Sequence, residues 1–470
     1  MVAALKPHLI DNSAALARLG LTPQSHVVVV GLGITGVSVV RYLLQQGIIP
    51  AIVDSREQPP ALQQFQQDYL QQWPQLQIDT GAHAFNNLHT ATHLIVSPGV
   101  ALSEPEIEQA RISGVQIISD IDIFALAVST PIIAITGSNG KSTVTTLVGK
   151  MIECAGKIAA LGGNIGTPVL DLLQDSTPDV YVLELSSFQL EITSYLQPAV
   201  AVVLNLSEDH MDRYDNFAAY ASAKAKIYNN AEVMIDNYCQ RTPSLLENAL
   251  HTSQNQRYFG LTDDHACQFR IGLVEDSEWL IAYDQPLIEA SEIAMQGRHN
   301  LSNALAALAL VDAVNIQPAA AVAVLHEFSG LSHRMESVRE LHEVRWINDS
   351  KATNIGACKA ALQGVKEPVI LIAGGDSKGA DFSDLIAIVE QKVPVLILLG
   401  KDADRLQDVL QGFTAIHRVN TIEQAVNLAA SMVQAGDTVL LSPACASLDQ
   451  FENYQARGDA FKNAVMRLPE

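Results

Sequence analysis

Short apolar runs, each followed by a polar or glycine-rich turn and then by a helical pattern, recur along the whole chain. The first is Val27 to Val30, four consecutive valines, and the helical pattern after it continues to Gln46. A continuous apolar run predicts a strand buried on both faces, and strands that alternate with helices are typical of parallel sheets. The pattern therefore predicts an α/β fold.

Three such series occupy the chain, whose length of 470 residues suggests about three domains. We place the predicted domains at residues 1–119, 120–330 and 331–470 and expect a mainly parallel sheet in each. The first and third are predicted to be Rossmann-like. The glutamine-rich stretch 58–77 is predicted to be a solvent-exposed helix without a chemical role.

The central series opens with a glycine-rich loop between an apolar run at 131–135 and a helical pattern at 143–156. Backbone N–H groups in such a loop, together with the positive end of the helix dipole, bind phosphate. Lys141 can reach terminal phosphates, and the Ser142 hydroxyl can ligate Mg²⁺. The alternative is a plain glycine turn with a solvated lysine, and the loop is shorter than the usual Walker spacing, which would need glycine in place of Ile135. We predict a P-loop-type ATPase domain that binds nucleotide through Gly137, Ser138, Asn139, Gly140, Lys141, Ser142 and Thr143.

A second glycine-rich turn, Gly31 to Gly36, follows the first strand, and Asp54 ends the next one. This spacing fits the dinucleotide fingerprint, in which an acidic residue holds a ribose hydroxyl. Any nucleotide diphosphate would suit the helix start, so the pattern does not single out NAD. Alternatively, the glycines serve only close packing of helix and strand. The turn Ser97–Gly99 follows another predicted strand and is expected to face the same ligand.

Two polar side chains in the central series suit a magnesium site. Glu184 lies near the end of an apolar run at 180–185, and His210 follows the run at 199–206. A carboxylate and a histidine at adjacent strand ends beside a phosphate loop suit Mg²⁺, which takes oxygen ligands and often shares them with phosphates. The alternative is that each is an ordinary surface residue. Lys224, in an alanine-rich helix, is by default a solvated lysine. Asn300 is either an N-cap for a helix at 304–314 or, with Asn303, part of one ligand-facing surface.

The third series places polar residues in loops after its predicted strands, at 349–354, 374–378 and 442–447. The glycines of the second loop suit another phosphate, although all three loops are equally compatible with ordinary crossovers.

Composition narrows the class of protein. The net charge of −22 and the pI of about 4.9 argue against binding to a nucleic-acid backbone or an anionic membrane. Five scattered cysteines without a CxxC motif predict free thiols in a reducing compartment. We see neither a signal-peptide pattern nor an apolar run approaching the ~20 residues of a membrane span, and expect a cytoplasmic location.

Four segments together resemble the Mur ligases, the ATP-dependent amino-acid-adding enzymes of bacterial peptidoglycan synthesis. They are 136–143 (TGSNGKST), 183–191 (LELSSFQLE), 208–214 (EDHMDRY) and 348–354 (NDSKATN). The resemblance runs from about Val27 to Arg457, and folylpolyglutamate synthases share the short phosphate loop. Within the family, the segment 442–451 (SPACASLDQF) is most similar to the D-glutamate-adding members.

The resemblance implies roles for individual residues. The first domain would hold the UDP of a sugar nucleotide, rather than NAD, with help from Asn164 and Ser186 of the central domain; the implied UDP-substrate set is Gly33, Ile34, Thr35, Asp54, Ser55, Arg56, Gly99, Asn164 and Ser186. The implied metal set for two Mg²⁺ ions is Ser142, Glu184, His210 and Lys224, the last as a carbamate. The remaining ATP contacts implied are Asn300, Asn303, Arg334 and Asp349. The implied D-glutamate set is Thr353, Lys378, Ser447 and Tyr454.

The reaction implied by the resemblance joins D-glutamate to UDP-N-acetylmuramoyl-L-alanine through an acyl phosphate and a tetrahedral intermediate. The implied catalytic residues are Lys141, Glu184, His210 and Lys224, with His210 as a candidate base. We expect a monomer whose C-terminal domain closes about hinges near Ser119 and Gly330. Two other functions stay open at this point: a nicotinamide oxidoreductase, based on the first glycine turn, and a non-catalytic nucleotide-gated module.

Overall fold

The computed structural model describes residues 12–174, 177–240, 255–295, 297–365 and 368–469. It contains three separate sheets, each mainly parallel and each flanked by helices, so the predicted α/β class is confirmed. None of the helices in these ranges is long and apolar enough to span a membrane. All five cysteines carry free thiols, as expected.

The N-terminal sheet has five parallel strands in the order β3-β2-β1-β4-β5. These strands are β1 (Val27–Val30), β2 (Ala51–Asp54), β3 (Gln77–Thr80), β4 (His93–Val96) and β5 (Gln116–Ile118). The helices are α1 (Ser13–Arg18), α2 (Ile34–Gln45), α3 (Leu62–Tyr69) and α4 (Pro105–Ile112), with a 3₁₀ turn at Leu88–Thr90. The strand order reverses between β1 and β4, where open parallel sheets bind ligands.

Among the described residues, the central sheet has nine strands in the order β14-β13-β12-β11-β10-β9-β6-β8-β7. These strands are β6 (Ile132–Thr136), β7 (Ala159–Gly163), β8 (Val180–Glu184), β9 (Val200–Val203), β10 (Val233–Asn237), β11 (Gln256–Gly260), β12 (Phe269–Val274), β13 (Ser277–Ala282) and β14 (Gln285–Glu289). Strands β6 to β12 run parallel, whereas β13 is antiparallel to both of its neighbours. The predicted glycine-rich loop therefore follows β6, which lies between β8 and β9.

The described helices of the central domain are α5 (Asp120–Ala127), α6 (Lys141–Cys154), α7 (Ser187–Ile192), α8 (Phe217–Ala225), α9 (Arg298–Ala313) and α10 (Pro318–Glu327). Short 3₁₀ helices lie at Val169–Gln174, Lys226–Tyr228, Tyr238–Gln240 and Ala290–Glu292.

Within the described part of the C-terminal domain, the sheet has six strands in the order β15-β16-β20-β17-β18-β19, and only β15 is antiparallel to its neighbour. These strands are β15 (Glu336–Leu341), β16 (Val344–Asn348), β17 (Val369–Ala373), β18 (Val395–Leu398), β19 (Ala415–Arg418) and β20 (Thr438–Leu441). The helices are α11 (Ile355–Gly364), α12 (Ile386–Lys392), α13 (Ala403–Leu410), α14 (Ile422–Met432) and α15 (Tyr454–Met466), with a 3₁₀ helix at Phe382–Leu385.

Several predicted boundaries need correction. The glutamine-rich stretch 58–77 is helical only over Leu62–Tyr69, and its last residue begins β3. Helix α9 begins at Arg298 with Gly297 as its N-cap, so Asn300 lies inside the first turn and is not the cap. Both Asn300 and Asn303 therefore project from the first two turns of one helix, at the spacing of neighbours on a helix face.

The central domain joins its two neighbours by different kinds of contact. One continuous apolar cluster contains residues of both the N-terminal and the central domain, from Leu16 and Leu43 to Tyr181 and Met234. We call this region the N-terminal junction; it also includes the ion pair between Arg41 and Asp171, 2.9 Å long. The apolar clusters of the C-terminal domain contain only residues from Met335 onward, and of the described residues of that domain only Leu331 packs on the apolar cluster of the central domain.

Candidate active site

The loop between β6 and α6 is held by the loop that follows β9. The backbone N–H of Asn139 donates to Asn205 Oδ1 at 2.8 Å, and Asn205 Nδ2 donates back to the Asn139 carbonyl at 2.9 Å. Gly140 has φ of +82°, and a Cβ there would lie 2.5 Å from Asn303 Oδ1. Position 140 therefore needs glycine both for its backbone angle and for the close approach of α9. The helix α6 starts directly after it, which gives the arrangement of an anion site.

Two lysines converge on this loop. Lys141 Nζ donates to the carbonyl oxygens of Gly137 at 2.8 Å and Ser138 at 3.0 Å, while Lys224 Nζ donates to the Gly137 carbonyl at 2.9 Å. Burial lowers the pKa of Lys141, and it holds the pKa of Lys224 well below its usual range, with Lys141 lowering it further. Lys224 is only 2% exposed, so the default expectation of a solvated helix lysine is wrong.

Glu184 ends β8 and points its carboxylate into the same region. Its Oε1 accepts a hydrogen bond from Asn164 Nδ2 at 2.9 Å, whereas its buried Oε2 has no hydrogen-bond partner among the described residues. A buried carboxylate oxygen without a donor is costly unless a cation occupies the position beside it. Glu184 therefore fits a role as a metal ligand.

His210 lies in the loop after β9, so it and Glu184 are on opposite sides of β6 and not on neighbouring strands. Its backbone is left-handed, with φ of +60°, and burial lowers its pKa to about 4, which leaves the imidazole neutral and able to bind a metal at pH 7. Within the described ranges, no three His, Cys, Asp or Glu side chains cluster closely enough to hold a metal. Further ligands would have to come from Ser142, a phosphate or a modified Lys224.

The C-terminal domain meets the phosphate loop through polar side chains, a set of contacts that we call the C-terminal junction. Arg334, just before β15, donates from Nη2 to Ser142 Oγ at 2.6 Å. Lys378 Nζ lies 3.2 Å from Asp209 Oδ1, and the amides of Asn139 and Asn354 pair with each other. Burial alone would raise the pKa of Asp209, but Lys378 and other nearby cations outweigh it and hold the pKa below its ordinary value.

A cleft of about 500 Å³ opens between the central and C-terminal domains beside the phosphate loop. It is lined by seven of the residues predicted to bind ATP, namely Asn139, Gly140, Thr143, Asn300, Asn303, Arg334 and Asp349. Asn303 Nδ2 donates to Asn300 Oδ1 at 3.1 Å, which fixes the two amides relative to each other. Asp349 accepts from Ser442 Oγ at 2.9 Å, and burial raises its pKa to about 7.

In the N-terminal domain, the two predicted loops lie together at the switch point. Ser97 Oγ donates to the Gly31 carbonyl at 3.0 Å, and a Cβ at Gly36 would lie 1.9 Å from the same oxygen. Ile34, at the start of α2, is 78% exposed. Gly33 is the N-cap of that helix, so Gly33, Ile34 and Thr35 surround its free N-terminus.

Both carboxylate oxygens of Asp54 accept hydrogen bonds from other groups of the protein. Asp54 Oδ2 accepts from the backbone N–H of Leu32 at 2.8 Å, and both of its oxygens accept from the Arg56 side chain. Although burial opposes it, these donors hold the pKa of Asp54 below its ordinary value. Asp54 shapes the glycine turn and orients Arg56, and this differs from the free ribose acceptor that a dinucleotide fingerprint predicts.

The predicted D-glutamate residues lie in several loops of the C-terminal domain. Thr353 follows a turn in which its N–H donates to the Lys351 carbonyl at 2.8 Å, and Lys378 reaches the central domain. Tyr454 begins α15, with Lys351 Nζ 3.9 Å from the centre of its ring. Ser447 is 3% exposed in the loop after β20. Ser186, predicted on the UDP-substrate side, caps α7 through a reciprocal capping box with Gln189.

Sequence reasoning assigned no role to several residues that organise the site. Asn205 holds the phosphate loop, and Lys351, whose pKa burial lowers to about 7, lines the nucleotide cleft. Arg213 packs over the Phe188 ring at 4.0 Å and donates to the Pro98 carbonyl at 3.1 Å, which joins the metal-side loop to the N-terminal domain. Lys351 lies in the segment 348–354 and Arg213 in the segment 208–214, both of which resemble the Mur ligases. That resemblance was the available indication that these two residues have a role.

Three family models match the chain. The model described as Mur ligase MurD-like, N-terminal domain matches residues 25–119, the Mur ligase middle domain matches residues 135–311, and the Mur ligase, glutamate ligase domain matches residues 333–445.

Curated relatives match nearly the whole chain. A UDP-N-acetylmuramoylalanine–D-glutamate ligase from Methylococcus capsulatus is 46% identical over 462 residues, covering 98% of this chain and 99% of the relative. A protein of the same name from Pseudomonas putida is 46% identical, with coverages of 93% and 96%.

Solved structures show the same fold at much lower identity. The UDP-N-acetylmuramate–alanine ligase of Thermotoga maritima gives a TM-score of 0.59 at 17% identity, covering 94% of this chain and 99% of that one. The MurF ligase of Thermotoga maritima, in complex with ADP, gives 0.59 at 16% identity, with coverages of 95% and 97%. At such identities the likeness concerns the fold alone.

Proposed function

The chain belongs to the Mur ligase family, and on that premise we propose that it joins D-glutamate to UDP-N-acetylmuramoyl-L-alanine using ATP, in peptidoglycan precursor synthesis. The relatives that share 46% of its residues are named for this activity. The structural observation that carries the proposal is the C-terminal junction. There, groups of the domain that would carry the amino acid contact the phosphate loop directly, through Arg334 on Ser142 and Asn354 on Asn139.

The chemistry requires activation, because a carboxylate oxygen is a poor leaving group. The γ-phosphoryl group of ATP would pass to the alanyl carboxylate, giving an acyl phosphate and ADP. The amine of D-glutamate would attack the acyl carbon, lose its proton and form a tetrahedral intermediate, which expels phosphate as the amide forms. Positioning and charge neutralisation dominate such phosphoryl transfers, and protein covalent chemistry is not needed.

The side chains around the loop suit this task. Lys141 Nζ, which donates to two loop carbonyls, would turn towards the terminal phosphates of ATP. Arg334, whose guanidinium contacts Ser142, would also neutralise phosphate charge. Loop N–H groups of Gly137, Ser138, Asn139 and Gly140, the start of α6 at Ser142 and Thr143, and the cleft residues Asn300, Asn303 and Asp349 complete the proposed ATP site.

A magnesium site fits the residues present. Mg²⁺, when bound, would neutralise phosphate oxygens and orient the transferred group. We propose Ser142, Glu184, His210 and a carbamate on Lys224 as its ligands for two ions, and the orphaned Oε2 of Glu184 supports this. When it does not bind metal, His210 is our candidate to accept the proton of the attacking amine, since its imidazole is neutral at pH 7.

The environment of Lys224 supports the carbamate. Burial and the neighbouring Lys141 favour the neutral amine of Lys224, which is the form that attacks CO₂. The amine nitrogen would bond to the carbon of CO₂ and release a proton to solvent, and the resulting anion would pair with Lys141 or a metal. Intact-protein mass spectrometry under CO₂ should show the added mass, and acidification should remove it. A Lys224→Arg variant should lack the addition. Persistence of the added mass in that variant would contradict the assignment.

The N-terminal domain, proposed as residues 1–119, would bind the sugar nucleotide at Gly33, Ile34, Thr35, Asp54, Ser55, Arg56 and Gly99, with Asn164 and Ser186 from the central domain, 120–330. The C-terminal domain, 331–470, would bind D-glutamate with Thr353, Lys378, Ser447 and Tyr454. We propose that the protein acts as a monomer. Five free thiols suit a reducing compartment, and we propose the cytoplasm.

The deciding experiment measures phosphate release from ATP and Mg²⁺ with a panel of acceptors and amino acids. We expect release only when UDP-N-acetylmuramoyl-L-alanine and D-glutamate are both present, with L-glutamate as the matched control. Comparable turnover with L-lysine or diaminopimelate would assign the chain to a different amino-acid specificity. Calorimetry with UDP and NADH addresses the oxidoreductase alternative, for which tight NADH binding would be required.

A further inference from the structure

The first turn of α11, in the C-terminal domain, packs directly on the phosphate loop of the central domain. Asn354 is the N-cap of this helix, and its Oδ1 accepts from the Ala357 N–H at 2.9 Å. The same carboxamide pairs with Asn139: Asn354 Nδ2 donates to Asn139 Oδ1 at 3.1 Å, and Asn139 Nδ2 donates back at 3.3 Å. One side chain thus caps a helix and binds the loop of another domain.

The contact extends to the loop that carries His210. Asn354 Nδ2 also donates to Asp209 Oδ2 at 3.1 Å, and the other oxygen of Asp209 lies 3.2 Å from Lys378 Nζ. Asn354 is only 7% exposed, and Asp209 is nearly as well covered, with 11% of its side chain exposed. Charge-assisted hydrogen bonds shielded from water are the stronger ones, so this contact is well suited to fix the relative position of the two domains.

Gly356 supplies a second, independent observation. It lies inside α11, where alanine is the stronger helix former, so the helix itself gives no reason for glycine. A Cβ at this position would lie 2.6 Å from Ser207 Oγ and 2.9 Å from Ser207 Cβ, both in the central domain. It would also lie 3.5 Å from Asn139 Nδ2. Glycine at 356 is therefore explained by close approach across the domain boundary.

We propose that Asn354 and Gly356 are positioning residues that dock the C-terminal domain on the phosphate loop. Neither residue needs to touch a substrate for this role. Docking places Lys378 and Thr353, on the same domain, against the loop at which the acyl phosphate would form. Since misplacement of reacting groups by about 1 Å can cost ~10²-fold in rate, a contact this close is sufficient to control the amine step. The proposal rests on the proposed ligase function for its kinetic consequence.

The central experiment is Gly356→Ala in the full chain. Alanine favours the helix, so the unfolding temperature should stay at or above that of the unchanged protein. The added methyl group opposes docking, and D-glutamate-dependent kcat should fall by ~10- to 10²-fold. Binding of UDP to the N-terminal domain, measured by calorimetry, should be unchanged. Small-angle X-ray scattering with ADP and UDP-N-acetylmuramoyl-L-alanine should give a larger radius of gyration.

Gly364→Ala is the matched control, because it adds a methyl group to the same helix where the nearest atoms are 3.7 Å away or farther. It should leave kcat and the radius of gyration unchanged. Adding Ser207→Gly to Gly356→Ala should recover much of the lost rate, since it removes both atoms that the methyl group meets. A merely structural role for Gly356 would produce neither the rescue nor the scattering change.

Asn354→Ser tests the same contact without a bulky substitution. Serine still caps a helix but cannot pair with Asn139 and Asp209 together, so kcat should fall while stability is kept. The proposal is overturned if both Gly356→Ala and Asn354→Ser retain full kcat and an unchanged radius of gyration. Failure of the ligase proposal would look different, because the unchanged protein itself would then release no phosphate with D-glutamate, while the scattering comparison would still decide the docking contact.

Discussion

The N-terminal junction is built mainly from apolar side chains, whereas the C-terminal junction is built from polar ones. Across the first, a single apolar cluster joins the two domains. Helix α5, which contributes to that cluster, is held within the central domain by its capping-box residue Asp122, which accepts from the N–H groups of Ser194 at 2.7 Å and Tyr195 at 2.8 Å. Across the second, the contacts are made by Arg334, Asn354 and Lys378.

The difference indicates which boundary can open. Separating the N-terminal junction would expose apolar surface at about 25 cal/mol per Å², whereas water can replace most hydrogen bonds of the C-terminal junction at modest net cost. A hinge near Ser119, as the sequence suggested, is disfavoured by the shared core, and we retain only the hinge near Gly330 as a prediction. The junction that we predict to open is also the one whose side chains contact the phosphate loop.

The largest effect is expected for Lys141→Met, at the phosphate loop. Loss of one donor to developing charge typically costs about 10²- to 10³-fold in kcat, and phosphate release with both substrates would measure it. Stability should not fall, because burial lowers the pKa of Lys141 and methionine removes a costly buried cation. If Lys141→Met lost activity only because it unfolds, Lys141 would have a role in stability and not in catalysis, and this would contradict the prediction.

Phe124→Ala tests the apolar junction. Phe124 is fully buried in α5 and meets the Tyr181 ring edge-on at 4.9 Å, so its truncation should cost about 3–5 kcal/mol. Scanning calorimetry should show one transition for the N-terminal and central domains together and another for the C-terminal domain. We expect only the first to shift, with kcat at 25 °C unchanged per folded molecule.

Phe461→Ala is the matched variant in the C-terminal core, where the side chain is equally buried. It should shift only the second transition. If either variant moves both transitions by the same amount, the two junctions are equally cohesive and the comparison fails.

Much of the architecture was predictable because buried parallel strands consist of consecutive apolar residues. Val27–Val30 begins and ends where the pattern placed it. Some of the strands that the pattern missed lie at sheet edges: β15 is half exposed along its length, and β13 and β14 form the antiparallel margin of the central sheet. The polar faces of such edge strands meet water, so continuous hydrophobicity could not mark them. Strands β10, β11 and β12 were also missed, although they lie inside the central sheet.

The site was predictable only where its residues are neighbours in sequence. The phosphate loop and the two asparagines of α9 follow from local spacing and line one cleft. The burial of Lys224 could not be foreseen, because an alanine-rich helix has no polar face to distinguish inside from outside. Contacts such as Lys378 with Asp209 join residues 169 positions apart, and they depend on how whole domains pack.

A pH dependence separates the two boundaries further. Burial raises the pKa of Asp120, in α5, from 3.8 to about 7, and its Oδ1 has no hydrogen-bond partner among the described residues. A raised folded-state pKa means that this carboxyl stabilises the fold fully below pH 3.8 and that the contribution is lost as the pH rises through about 7. Asp120→Asn should therefore raise the unfolding temperature at pH 8 more than at pH 4, with kcat unchanged.

Asp349→Asn is the counterpart on the cleft side, where burial raises the pKa by the same route. It should show the same gain in stability at pH 8, but because Asp349 lines the nucleotide cleft, KM for ATP should also rise. If Asp120→Asn and Asp349→Asn changed KM for ATP equally, the kinetic difference that we expect between the N-terminal and C-terminal junctions would be absent.

The smallest effect is expected for the ion pair of the N-terminal junction. Arg41 and Asp171 lie 2.9 Å apart with 28% and 20% of their side chains exposed, so Arg41→Met should cost roughly 0.2–1 kcal/mol, because water and salt screen such a pair. Lys378 and Asp209 form a comparable pair, 3.2 Å apart and 22% and 11% exposed, at the other junction. Lys378→Met should lower the free energy of unfolding by a similarly small amount, yet KM for D-glutamate should rise at least ~10-fold through loss of a charge-assisted contact. The two ion pairs have similar geometry and would then differ in their effect on substrate binding alone. A rise in KM for D-glutamate caused by Arg41→Met would show that the N-terminal junction also moves during catalysis.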